Sequence, residues 1–294
     1  LSTLTQMGIT INARSVEALL RRLANIPLAE PKELKELLYK ETSMIAPSLI
    51  RHTEADGYRG TIDLDGVGFS NFLQQELPWL AEMDCENKVK TLSVPKNADD
   101  AILSALVYVR SELGWQDNFD TVSRLPKIAK EQLWQQVFSG IRSWHKLPRA
   151  FETAEYEFEL SLSESCWAQL KRHRLCTMLK KGSSSSIHVI PDSIKQIKRE
   201  QIWHLLAQES QILSDALPSS LKPTSGYLRL NSALCRVYIK INLREIYHFV
   251  RLRSDEHAQW EIREIADAIT RVVQRSAPNA TRYLCGKSGF KPGV

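Results

Sequence analysis

An α/β fold of the α+β kind is predicted by three observations on the 294-residue sequence. Residues 156–162, Tyr-Glu-Phe-Glu-Leu-Ser-Leu, alternate apolar and polar side chains with the period of two that marks a half-buried strand. Residues 228–241 end in the same alternation, with Val237, Ile239 and Ile241. Longer stretches place apolar residues three and four apart, the spacing of an amphipathic helix. Hydrophobic residues make up 43% of the chain and charged residues 25%, enough apolar material for one large or two ordinary domains with their own cores.

This composition excludes disordered and collagen-like classes. The longest apolar run, residues 101–109 with Ser104 inside it, falls far short of the roughly 20 residues that cross a bilayer, so a soluble chain is expected. The net charge of +5 is spread along the sequence. It suits an anionic ligand without marking a nucleic-acid binder. Cys85, Cys166, Cys176, Cys235 and Cys285 are odd in number and form no C-x-x-C pair. Reduced thiols in the cytoplasm are the expectation, with no disulfide framework and no metal site. The chain opens Leu-Ser-Thr-Leu with no Met and no basic leader, as a piece of a longer protein would.

An internal echo supports that reading. Thr10-Ile11-Asn12-Ala13-Arg14 returns as Lys240-Ile241-Asn242-Leu243-Arg244, and Ala46-Pro47 returns as Ala277-Pro278 with the offset longer by a single position. Two matches in order at nearly one spacing point to a duplicated domain. The first copy then retains only its C-terminal quarter, and its remainder is expected upstream of Leu1.

Residues 16–39 read as helical. Val16, Leu19, Leu20 and Leu23 form a stripe that breaks at Ile26-Pro27 and resumes at Leu34, Leu37 and Leu38. Residues 53–70 carry Gly57, Gly60, Gly66 and Gly68 among acids, a loop or linker where the junction between copies is placed. A strand over 89–94 leads into a helix over 98–113, capped by Ala98-Asp99-Asp100. Another helix is expected over 127–143. The strand at 156–162 runs into a helix over 164–179, followed by a loop of Gly182 and Ser183, Ser184, Ser185 and Ser186. After the strand at 228–241, residues 242–275 read as one helix of roughly 50 Å, kinked near Ser254-Asp255.

Arg172-His173-Arg174 gathers two guanidiniums and an imidazole. Such a fork of donors fits a phosphate or a polarised carbonyl-bearing ring, and equally a solvated basic helix end that complements the helix dipole. Arg244 and His248, and again Arg253 and His257, are four apart and share helix faces. Both pairs read as a ligand-lined helix or as partners for the acids among residues 255–264. Trp260 reads as core. Cys176 lies two residues from Arg174, which would lower its pKa, although nothing in the sequence positions a base for it. No dinucleotide fingerprint, Walker loop or nucleophile elbow is present.

Taken together, Gln169-x-x-Arg172-His173-Arg174 and the stretch from Asn242-Leu243-Arg244 through His248-Phe249 and Leu252-Arg253 to His257-Ala258-Gln259-Trp260-Glu261-Ile262-Arg263 resemble the flavin-dependent thymidylate synthase family. The resemblance covers about residues 89–284. Residues 10–51 resemble the end of another copy, as in longer family members made of two fused copies. The domain reading is a first-copy remnant over 1–60, a linker over 61–88 and a second copy over 89–294. The resemblance implies a mixed antiparallel sheet flanked by long helices, and synthesis of dTMP from dUMP with methylenetetrahydrofolate, FAD and NADPH. By this match Arg172, His173, Arg174, Asn242, Leu243, Arg244, His248 and His257 contact FAD. Gln169, Arg172 and Arg253 contact dUMP, and Arg253 is the catalytic residue that polarises the pyrimidine. A homo-oligomer, or an upstream copy completing the site, is implied, with neither nucleic acid nor membrane as partner.

Departures from the family pattern bear on activity. A nucleotide-binding Ser-Gly-Arg is replaced by Gly182-Ser183-Ser184, and the family's phosphate-binding Arg falls at Gly226, with Arg229 close by. Residues 23–27, Leu-Ala-Asn-Ile-Pro, hold no counterpart of Arg253 or His257. The competing reading is a catalytically silent flavin-binding or scaffold copy; alkylation of another pyrimidine nucleotide is a further alternative.

Overall fold

The computed structural model describes residues 8–55, 87–182 and 187–291. The chain forms two compact units, Leu1–Asp84 with Ser214–Leu228, and Cys85–Leu213 with Arg229–Val294. Most of the linker expected over 61–88, and all four serines of the 183–186 loop, lie outside the described residues.

The first unit contains a helical hairpin. Helix α1 (Ala13–Ala24) starts at Asn12, whose side chain accepts the Ser15 amide, and ends at Asn25. Helix α2 (Ala29–Ile45) follows after four residues, with Pro31 in its first turn, where the missing N–H has no helical partner to lose. Val16, Leu20 and Ile50 bury themselves with Ala13, Leu38 and Ala46 packed against them. The Glu17 carboxylate accepts the amides of His52 at 2.6 Å and Arg51 at 3.2 Å, tying the chain beyond α2 back to α1. No residue of α2 is fully buried.

In the second unit, β1 (Val89–Ser93), β2 (Glu155–Ser163), β3 (Thr177–Lys180) and β4 (Leu234–Asn242) form an antiparallel sheet in the order β1-β2-β4-β3. β2 and β4 pair without a slip from Glu155↔Asn242 to Ser163↔Leu234. The expected alternation fixes this register, since one face carries Tyr156, Phe158, Leu160 and Leu162 beside Val237, Ile239 and Ile241, all at most 1% exposed. Each such side chain contributes about 1.5–3 kcal/mol on burial. Helices α3 (Ala98–Tyr108), α4 (Trp115–Arg124) and α5 (Lys127–Val137) precede β2, and α6 (Glu164–Leu170) follows it. Helices α7 (Asp192–Gln196) and α8 (Glu200–Asp215) lie between β3 and β4. Helices α9 (Leu243–Arg253) and α10 (Trp260–Ser276) come after β4 and contribute Ile246, Phe249, Val250, Ile262, Ile265, Ile269 and Val273 to the same core.

Several expectations are corrected. The helix foreseen over 164–179 stops at Leu170, and the chain turns so that Thr177–Lys180 joins the sheet as β3. The single helix foreseen over 242–275 is two. Ser254 closes α9, and the Gln259 side chain accepts the Ile262 amide to begin α10. Helix 98–113 ends at Tyr108 and helix 127–143 at Val137. Asp99 and Asp100 do not cap α3. Asn97 precedes it at φ 53° without a side-chain cap, while Asp99 accepts the amides of Asn279 at 3.0 Å and Ala280 at 2.8 Å. Asp100 pairs with Lys130 at 2.8 Å.

The echoed residues adopt matching local structures. Asn12 (φ −81°, ψ 158°) caps α1, and Asn242 (φ −86°, ψ 162°) caps α9 by accepting the Glu245 amide. Ala46 ends α2 at φ −138°, ψ 59°, and Ala277 ends α10 at φ −137°, ψ 63°. Helices α2 and α10 each have 17 residues. Val16 and Leu20 are buried like their counterparts Ile246 and Val250. At the position matching Arg253 stands Leu23, 8% exposed.

Candidate active site

Two elements of the second unit bring the predicted residues together. At the end of β2 the Ser163 hydroxyl accepts the Cys166 amide and starts α6, which carries Gln169. Just past α6, the His173 amide donates to the Leu170 carbonyl at 3.0 Å. His173 turns inward, only 4% exposed, between the exposed Arg172 and Arg174. From β4, the Asn242 cap starts α9, placing Glu245, Phe249 and Arg253 at four-residue steps along one face.

These residues form a chain of polar contacts. Arg253 Nε donates to His173 Nε2 at 3.0 Å, its Nη1 to Gln169 Oε1 at 3.0 Å, and its Nη2 to the Gln169 carbonyl at 3.1 Å. A guanidinium N–H only donates, so His173 Nε2 accepts and Nδ1 carries the imidazole proton. Nδ1 lies 3.3 Å from Oε1 of the buried Glu245. The His173 ring stands edge-on to Phe249 at 5.0 Å and to His248 at 5.6 Å. Burial, then the charge of nearby Arg172, lowers the Arg253 pKa from its ordinary value. His248 is held below the usual histidine range by burial, against the opposing pull of Glu245.

Next to this chain lies a cavity of about 250 Å³ lined by His145, Lys146, Arg244, Glu245, His248 and Arg251 together with Leu147, Leu175 and Tyr247. Lys146, Arg244 and Arg251 outnumber the single acid, Glu245, in its lining. Arg172 and Arg174 have no carboxylate partner among the described residues, which leaves two guanidiniums beside His173 for an anion. This set of cationic donors suits an anionic ligand.

Other predicted residues are placed differently. Arg244 donates through Nε to the Leu147 carbonyl at 2.7 Å and through Nη1 to Glu152 at 3.0 Å, so only part of its fork is free. Leu243 is fully buried in the core, and Asn242 Oδ1 is occupied by the α9 cap. The His257 side chain is 86% exposed and lies 3.6 Å from Glu256, away from the His173 contacts. Arg229 is 3.8 Å from Glu164, which also receives Lys180 Nζ at 2.8 Å. Trp260 is partly exposed beneath the Lys88 ammonium and helps line a separate cavity of about 330 Å³ with Trp203 and Glu261.

Cys176 is not activated. Burial, aided by the Glu245 charge, pushes its thiol up to about 12, and Sγ donates to the His173 carbonyl. Neither Arg172 nor Arg174 is among the groups that set this shift. Ligand atoms of His173, Glu245 and His248 come within 4.8 Å of one another, but the Arg253 guanidinium bonded to the same imidazole opposes a metal cation there. Glu245 is not among the residues that the sequence singles out. An acid three residues after an asparagine cap looks like a first-turn charge facing solvent; its place at helical spacing from Phe249 and Arg253 is the available signal.

The fold is that of an α/β protein in which α6, the turn after it and α9 bring Gln169, His173 and Arg253 together. A family model described as thymidylate synthase complementing protein matches residues 115–279, more than half of the chain, and the chain belongs to that family. It is similar to a UPF0159 protein of Chlamydia muridarum, 23% identical over 292 residues, which cover 96% of this chain and 55% of that protein. It is also similar to the flavin-dependent thymidylate synthases of Pyrococcus abyssi, 30% identical over 128 residues covering 39% of this chain and 52% of that one, and of Sulfurisphaera tokodaii, 25% identical over 210 residues covering 67% and 77%. The chain spans about half the length of the UPF0159 relative. No helix among the described residues is long and apolar enough to cross a membrane.

Proposed function

We propose that this chain is the C-terminal portion of a duplicated, FAD-dependent thymidylate synthase that converts dUMP to dTMP. Methylenetetrahydrofolate supplies the carbon that replaces the C5 hydrogen, NADPH supplies two electrons, and bound FAD carries them. The observation that carries this reading is the clamping of Arg253 between Gln169 and His173. With its Oε1 taken, Gln169 keeps an amide NH₂ to donate to a pyrimidine carbonyl, and Arg253 keeps N–H directions that Gln169 and His173 do not use. A guanidinium at the ring edge stabilises negative charge there and makes C5 a better nucleophile. No protein nucleophile is required, in keeping with the raised pKa of Cys176. Arg172, Arg174 and His248 hold the flavin side, with the unused part of the Arg244 fork beside them, while Asn242 serves by capping α9.

The matching caps of α1 and α9, and of α2 and α10, support the duplication. The Gly182-Ser183-Ser184 sequence lacks the family's nucleotide anchors, which favours a site completed by an upstream copy or a second subunit; a silent flavin-binding copy is the second reading. Release of hydrogen from C5-tritiated dUMP by the full-length protein, dependent on FAD, NADPH and methylenetetrahydrofolate, is the expected result. Flavin binding without tritium release favours the silent copy. Absence of both flavin binding and tritium release overturns both readings.

A further inference from the structure

The hairpin α1–α2 leaves uncovered the positions that its counterpart buries. Ile9 and Ile11, which match Ile239 and Ile241 in the echo, are 68% and 43% exposed, whereas those two are each 1% exposed. Leu34 and Leu49, which match Ile265 and Ala280, are 45% and 61% exposed, against 1% and 0%. The inner contacts of the two hairpins are alike, with Val16, Leu20, Ile246 and Val250 all buried. The difference lies at positions whose counterparts belong to the core shared by the sheet, α9 and α10.

In the second unit that face is covered through β4. Ile241 pairs with Tyr156 and Ile239 with Phe158 on β2, and α9 and α10 join the core on the same side. Gly8 to Asn12 has the same alternation and the same asparagine cap at its end, yet forms no strand pair among the described residues. Four large apolar side chains are thus exposed at positions whose counterparts lie in the core of the second unit, and exposure of that kind marks a protein contact.

From this we infer that residues 8–12 are the last strand of a second antiparallel sheet, in which Ile9 and Ile11 belong to the apolar face and Leu34 and Leu49 pack against that face. The occupant is a sheet of the same kind as β1–β4, supplied by polypeptide preceding residue 1. A second copy of this chain offers no such face, because its own sheet is already covered by α9 and α10. The inference rests on the duplicated reading of the chain and on neither FAD nor dUMP.

The test is amide hydrogen exchange on the complete polypeptide, without cofactor or substrate. Amides of residues 9–12 are expected to exchange at least 100-fold more slowly than unpaired amides, at a rate independent of protein concentration. In addition, Ile11→Asp should speed exchange in the upstream partner strand, whereas Lys40→Asp, at the position matching the exposed Arg271, should not. Exchange of residues 9–12 at the unpaired rate overturns the inference. Protection that disappears on dilution also overturns it and assigns the face to self-association. Because this readout needs no turnover, an inactive protein with protected residues 9–12 separates failure of the synthase reading from failure of this one.

Discussion

The Nε–H of Arg253 meets Nε2 of His173 at 3.0 Å, joining the end of α9 to the turn after α6. Through it the Glu245 carboxylate, the imidazole and the guanidinium act as one aligned unit. Arg253→Ala in the full-length protein is expected to reduce nucleotide turnover by about 10²- to 10³-fold, as when one preorganised donor is removed, while flavin affinity stays within a few-fold. Arg172→Ala has a much smaller effect, because on the duplicated reading Arg172 has an upstream counterpart whereas Leu23 stands at the position matching Arg253. Tritium release from C5-labelled dUMP and flavin fluorescence measure the two quantities. Equal losses in the two variants contradict the proposed division of the site.

Glu245→Ala removes the acceptor for a buried imidazole N–H. It should lower stability by about 1–3 kcal/mol, the cost of an unsatisfied buried donor, and loosen Arg253 with it. Glu245→Gln retains a carbonyl acceptor and should recover most of that loss. Urea unfolding of both variants checks the order; a larger loss in Gln than in Ala runs against the assigned tautomer.

The buried thiols predict alkaline sensitivity. Cys176 and Cys235 titrate at about 12 in the folded chain, against an ordinary 9.0, with burial the main cause. Between these values the unfolded state holds fewer protons than the folded one, so stability falls as pH rises from about 9 to about 12. Below pH 9 these two groups leave stability unchanged. Denaturation midpoints across this range should fall, and less steeply in a Cys176→Ala, Cys235→Ala variant. In the native protein at pH 8, neither thiol should react with a disulfide reagent on a timescale of minutes.

Asp99 holds the chain after α10 by accepting the amides of Asn279 and Ala280 and the Asn279 Nδ2. Asp99→Ala should cost about 3 kcal/mol, the upper end for hydrogen bonds to a charged group. Thermal unfolding gives the value, and Asp100→Ala, which breaks a partly exposed ion pair with Lys130, should cost less.

The strands at 156–162 and 234–242 are legible because a period of two over six or more residues has no helical equivalent. The turn inside 164–179 is hidden because Arg172, His173 and Cys176 are compatible with a helix. Only the burial of His173 against Phe249 and Glu245, far along the chain, makes it turn there. The apolar stripe across residues 242–275 conceals the break, since both helices face one core; the Gln259 cap is the local sign of a new start. In the site, Gln169, His173 and Arg253 stand out as a group from their motifs, but their mutual bonding depends on tertiary geometry. The ties of Arg244 to Glu152 and of Asp99 to Asn279 join distant parts of the sequence and leave no local pattern.

Leu23 occupies the place in the first hairpin that Arg253 holds in the second, and it is 8% exposed. An aliphatic side chain there cannot grip a pyrimidine edge, whatever sheet covers the hairpin. On the duplicated reading, catalytic stoichiometry is therefore uneven: one functional centre for every two folded repeats. Titration of the complete protein with dUMP should saturate at one equivalent per polypeptide, and placing an arginine there by Leu23→Arg should not raise that number.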